Sequence, residues 1–199
     1  VFETEAGLVI SELNSDTPTG QAEAVLLSAM TETEGARDPN AGLRARFVGM
    51  VEHLARVRLL EGSPRTAALL YPTEMSEDLA LVRLYRAWLG EAGWNVVLGS
   101  PFNLGPGTKD GGVSLFGEDC AVVLRHYKTD WWAERLPVWD DEEPALDAAP
   151  LVRELRLLLE ASLDRKAVVV NPFAAALPQN KRSMAFLWEH IDRFSERSA

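Results

Sequence analysis

Thr66-Ala67-Ala68-Leu69-Leu70-Tyr71, then Ser76 to Ala92, then Trp94-Asn95-Val96-Val97-Leu98 decide the fold. The first run is short and apolar, the length of a strand buried on both faces. In the second, Ser76 stands at an N-cap position, with Glu77 and Asp78 in the electropositive first turn. Gly93 ends that helix. The third run is again a short apolar strand. Strand, helix and strand in this order have the length of a right-handed parallel crossover.

The alternation continues on both sides. Upstream, Gly7 to Leu13 reads as a strand and Gln21 to Met30 as a helix. Leu43 to Glu61 reads as a long amphipathic helix, because Phe47, Met50, Val51, Leu54 and Val57 recur at helical spacing. Downstream, Asn103 to Gly112 is a Gly-rich loop. Val113 to Phe116 and Asp119 to Leu124 are strands about the turn Gly117-Glu118, a small hairpin. Leu146 to Leu163 is a helix, Ala167 to Asn171 a buried strand, and Pro178 to Phe194 a final helix. The fold class is therefore α/β, a largely parallel sheet flanked by helices with a small β-hairpin. Residues 1–199 are expected to form one α/β domain, with 1–42 supplying a strand, loop and helix and 43–199 the rest.

Composition narrows the function. The chain has 199 residues, 47% of them apolar, enough for a packed core and too apolar for disorder. Its 30 acidic and 20 basic side chains leave a net charge of −10. That balance argues against a nucleic-acid partner, which needs a basic footprint, and against docking on an anionic membrane. No apolar run reaches the length of a membrane helix, and Val1 to Glu5 has no signal-peptide pattern. The single cysteine, Cys120, sits in the apolar run Cys120 to Leu124 and reads as a buried strand position. A reducing, cytoplasmic setting is the default for such a chain.

Several motifs are absent. Gly105-Pro106-Gly107-Thr108-Lys109 lacks the ending of a Walker loop, and no Gly-x-Gly-x-x-Gly follows a strand. The three histidines have no zinc spacing, and there is no Gly-x-Ser-x-Gly elbow.

Three segments carry information. In Glu12-Leu13-Asn14-Ser15-Asp16-Thr17-Pro18-Thr19-Gly20, Glu12 and Asn14 are two apart, so on a strand they share a face. Two hard oxygen donors at a strand's carboxyl end suit a magnesium ion held partly by substrate phosphates. The other reading is that Asp16 or Thr17 caps the following helix and Glu12 is solvated. The segment His126 to Arg135 is dense in aromatics and mixed charge. By itself it reads equally as a salt-bridged surface with a tryptophan anchor. In Pro178-Gln179-Asn180-Lys181, Lys181 opens a helix, where the dipole disfavours a cation and a bound phosphate would compensate.

Taken in order, the three segments resemble the synthetase domain of the glutathionylspermidine synthase family, within the ATP-grasp superfamily. The match consists of Glu12-x-Asn14-x-Asp16 with its hydroxyl residues and Glu23-Ala24, then Lys128-Thr129-Asp130-Trp131-Trp132, then Pro178-x-Asn180-Lys181 with Leu187-Trp188. The resemblance implies a pre-ATP-grasp-like fold and an ATP-dependent ligase. Such an enzyme joins a peptide-like carboxylate to an amine through an acyl phosphate, with ATP and magnesium as cofactors. It implies Glu12 and Asn14 as magnesium ligands and Lys181 as a contact to the nucleotide phosphates. It implies Thr17, Thr19 and Thr129 as substrate contacts, and Glu77 and Asp78 as an acidic pair near the substrate's amino end. Family members also carry an Arg-x-Asp segment upstream of the Glu-x-Asn strand, and a second lysine and Gly-rich loop downstream. The chain is thus expected to be the central part of a larger ligase and inactive alone. A binding or scaffold domain that keeps the fold is the alternative, and an unrelated α/β hydrolase or transferase stands further off. The acidic stretch Asp140 to Pro144 reads as a solvated loop or as a lure for a polyamine.

Overall fold

The computed structural model describes residues 2–5, 7–10, 12–31, 38–108, 111–133, 141, 143 and 148–195. The chain divides into two compact units: Val1–Pro18 with Asn171–Ala199, and Thr19–Val170.

The larger unit is α/β, as its sequence pattern implies. It holds helices α1 (Gln21–Met30) and α2 (Leu43–Arg58), strand β3 (Thr66–Leu70), helix α3 (Leu79–Glu91) and strand β4 (Asn95–Gly99). Strand β8 (Val122–Arg125), helix α4 (Val152–Leu163) and strand β9 (Val168–Val170) follow. The four strands form a parallel sheet in the order β4-β3-β8-β9. β3 is buried along its whole length, with Ala67, Ala68 and Leu70 fully covered. A parallel strand between two neighbours needs both faces apolar, and Thr-Ala-Ala-Leu-Leu supplies that. Ala67 and Leu69 alternate onto the face where Val51 of α2 and Val82 and Leu89 of α3 pack. Phe47 and Tyr85 stack there with centroids 4.2 Å apart, and burial pushes the Tyr85 hydroxyl up to about 12.

A polar clip closes this layer. Arg65 pairs with both carboxylate oxygens of Glu52, donates to the carbonyls of Ala92 and Gly93, and lies over the Trp94 ring. Trp94 Nε1 donates to Glu52 as well. The Arg65 hydrogen bond holds the Glu52 carboxyl below the usual carboxylate range.

A second sheet runs antiparallel in the order β5-β6-β7, from Leu104–Pro106, Val113–Leu115 and Glu118–Cys120. β6 and β7 make a hairpin, but its turn lies one residue earlier than expected, at Phe116-Gly117, because Glu118 pairs with Leu115 as the first residue of β7. The turn's two central residues, Phe116 and Gly117, both have positive φ (53° and 83°). Two such residues make the turn whose twist matches the strands.

Several boundaries differ from the sequence reading. Residues 119–124 are not one strand: the chain leaves the antiparallel sheet at Cys120 and enters the parallel one at Val122. Ala121 bonds Thr66 and Val168 in passing, so no turn residue marks the change. The Gly-rich loop at 103–112 contains β5. Ser76 caps nothing; it opens a 3₁₀ turn, Ser76–Asp78, that runs into α3 without a side-chain cap. The stretch 140–144 lies outside the described residues apart from Asp141 and Glu143, both exposed, and 146–147 lie outside them too.

The smaller unit holds a hairpin, β1 (Phe2–Thr4) with β2 (Gly7–Val9), and the helices α5 (Ala176–Gln179) and α6 (Arg182–Glu189). The single helix expected over 178–194 is broken. Asn180 is extended (ψ 129°) and its side-chain oxygen accepts from Arg182 N at 2.9 Å. An asparagine that bonds its own backbone competes with helix continuation.

Candidate functional site

In an open parallel sheet, ligands bind beyond the carboxyl ends of the strands, where successive connections diverge. Here that point lies between β3 and β8: β3 connects outward to β4 and β8 outward to β9. Two polar side chains meet there. Asp78, from the turn after β3, places Oδ1 3.1 Å from Nε2 of His126, the residue after β8. The side chains keep only 17% and 13% of their surface, respectively. Glu77, beside Asp78, is exposed.

The segment that follows His126 is anchored by aromatic residues. Trp132 is 1% exposed and Tyr127 fully covered. Both tryptophans meet the Tyr127 ring edge-on, Trp131 at 5.3 Å and Trp132 at 6.0 Å. Lys128 Nζ sits 4.7 Å over the Trp131 ring, and Arg125, itself buried, donates to the Tyr127 carbonyl. Thr129 is half-buried and leads a 3₁₀ turn, Asp130–Trp132. The tryptophan-anchor reading holds, and it fixes Thr129 and His126 beside the strand ends.

The smaller unit contains Glu12, Asn14, Thr17 and Lys181; Thr19 is the first residue of the larger one. Glu12 and Asn14 are not on a strand, because β2 ends at Val9. The shared-face argument therefore does not apply to them. They stand on irregular backbone, both exposed. This loop is stapled to the 171–180 segment. Gln179 Oε1 accepts from Ser15 N at 3.2 Å and Asp16 N at 2.9 Å. Ser15 Oγ donates to Ala175 O at 2.7 Å, and Asn171 Nδ2 to Asp16 O at 2.9 Å. Asp16 is 3% exposed, so these bonds satisfy backbone that water does not reach. Asp16 and Thr17 do not cap α1, whose N-cap is Gly20 with φ 92°.

The staple itself was not visible in the sequence. Gln179 lies inside a segment singled out for its lysine and Asn171 ends the expected strand before it, and side-chain amides carry no signal of a partner 155 or more residues away. Gln179→Ala removes the acceptor of two consecutive amides. We expect the exchange of the Ser15 and Asp16 amides to quicken about tenfold, equivalent to ~1.4 kcal/mol, in hydrogen-exchange mass spectrometry. Unchanged exchange would show that the loop stands without the staple.

Among the described residues, no group of three or more His, Cys, Asp or Glu is placed to hold a metal ion. Glu12 and Asn14 offer two oxygen ligands at most. That suits a magnesium ion whose remaining ligands are phosphate and water, and does not suit a self-contained metal centre.

A cleft of about 100 Å³ opens at the opposite, amino-terminal end of the sheet, between Ser63, Pro64, Cys120 and Lys166. Burial pushes the Cys120 thiol up to about 11, so it stays protonated and unreactive near neutral pH. Among the described residues no helix is long and apolar enough to cross a membrane. No protein-family model matches the chain, and no curated protein matches it significantly.

Proposed function

We propose that the protein acts as an ATP-dependent carboxylate–amine ligase of the kind that glutathionylspermidine synthase represents. One observation carries this reading. Two segments singled out separately in the sequence, Glu12–Pro18 and Pro178–Lys181, fold into the same compact unit and are joined through Gln179, which accepts from Ser15 N and Asp16 N. The segment with the candidate metal ligands and the segment with the candidate phosphate lysine are thus held side by side. That the two segments are packed together supports the reading.

In this reading Glu12 and Asn14 would hold magnesium, which when bound neutralises charge on the nucleotide phosphates. Lys181 would contact those phosphates. Thr17, Thr19 and Thr129 would hold the peptide-like carboxylate, and Glu77 and Asp78 its amino end. Phosphoryl transfer is mainly positioning and charge neutralisation, so these residue types suffice for the part they play. A cytoplasmic setting, where ATP and magnesium are supplied together, accords with the reading.

The test is ADP release by the full-length protein with ATP and magnesium. Turnover is expected only when a carboxylate and an amine are both present. Binding without turnover would overturn the ligase reading in favour of a binding domain, and ATP hydrolysis indifferent to both would overturn it in favour of a simple ATPase.

A further inference from the structure

His126 belongs to none of the segments' candidate roles, yet it is a largely covered polar side chain at the carboxyl edge of the sheet, held by its contact with Asp78. Its backbone N–H donates to Leu70 O at 2.7 Å, which extends the β3–β8 ladder by one residue. Its ring then reaches across to Asp78. The pair thereby ties the turn after β3 to the end of β8, over the point where the sheet's connections diverge. Among the described residues, no other side chain pairs with Asp78, and its Oδ2 has no partner. A carboxylate that is largely covered needs hydrogen-bond partners. It also has a rotamer to lose: free to turn, it would present either oxygen.

The two basic side chains that flank His126 are engaged differently. Lys128 lies over Trp131, and Arg125 donates to the Tyr127 carbonyl.

We propose that His126 is a positioning residue for Asp78. By donating from Nε2 to Oδ1 it fixes the carboxylate and leaves Oδ2 to accept from the substrate's amino group. This rests on the reading of Asp78 as a substrate contact, and deepens it by naming what holds that contact in place.

The test uses the full-length protein with glutathione as the carboxylate probe and spermidine as the amine. His126→Leu removes the donor and is expected to raise the KM for glutathione about tenfold, with kcat within about twofold. His126→Gln keeps a donor and is expected to recover most of that loss. A merely structural histidine would lower kcat or melting temperature in both variants alike, with no rescue.

A second readout needs no turnover. In protein labelled with ¹⁵N-histidine, the His126 ring is expected to carry its proton on Nε2. That ring signal should shift on adding glutathione and not on adding its N-acetyl derivative. An unchanged KM in His126→Leu, mixed ring tautomers, or equal response to both peptides would overturn the proposal. Absence of turnover in the unaltered protein, with the Nε2–H tautomer and the selective response intact, overturns the ligase reading alone.

Discussion

Replacing Trp132 by alanine lowers stability by about 3–5 kcal/mol, the cost of deleting a large buried aromatic. Trp132 is 1% exposed and ends the 3₁₀ turn that carries Thr129. Its ring packs edge-on against Tyr127, and its carbonyl accepts from Leu151 N at 2.8 Å, just before α4. The side chain therefore anchors the segment after β8, and the residue's backbone carbonyl ties that segment to the entry of a sheet-covering helix. For a chain of this size the loss corresponds to a fall in melting temperature of roughly 6–20 °C. Chemical denaturation should show it as a lower midpoint, with the slope retained. Trp132→Phe, which keeps most of the buried area, should recover about half. A loss under about 1 kcal/mol would mean that the segment is not held by this ring.

Lys181→Ala should act in the opposite way: a large effect on turnover and none on folding. Lys181 is exposed and stands at the N-cap of α6. A cation there faces the positive end of the helix dipole, so removing it is neutral or stabilising by about 0.3–1 kcal/mol. If the lysine serves nucleotide phosphates, its removal should lower ATP-dependent turnover about 10²–10³-fold, the usual range for one lost charge-stabilising contact. The combination is diagnostic, because a residue kept for structure cannot cost activity while raising the melting temperature. Full activity in Lys181→Ala would remove the phosphate role.

The parallel sheet was legible in the sequence because its strands are short apolar runs separated by helices of helical periodicity. β3 and β4 fall within a residue of their expected ends, and α3 ends within one residue of its expected end but starts three residues late, after the 3₁₀ turn Ser76–Asp78. What was illegible was long-range. Ala121 passes between two sheets through ordinary backbone bonds, which no residue type announces. Asn180 breaks the last helix through its own side chain, a local competition that an amphipathic pattern over 182–189 conceals. The candidate site divides the same way. Glu12, Asn14, Glu77, Asp78, Thr129 and Lys181 are polar residues in suggestive order, so a sequence can nominate them. The partners that hold them, Gln179 for the loop and His126 for Asp78, are chosen by proximity in space.

The division of the chain into units has a consequence for folding order. The smaller unit is assembled from two stretches with residues 19–170 between them. Joining its halves in an unfolded chain closes a loop of about 150 residues, an entropic cost of about 4–5 kcal/mol before any contact is made. Collapse of the intervening unit shortens that loop, so the larger unit is expected to form before the staple between Asp16 and Gln179. Damage to the parallel sheet should therefore disable the loop bearing Glu12 without touching it, whereas loss of the staple should leave the sheet able to fold.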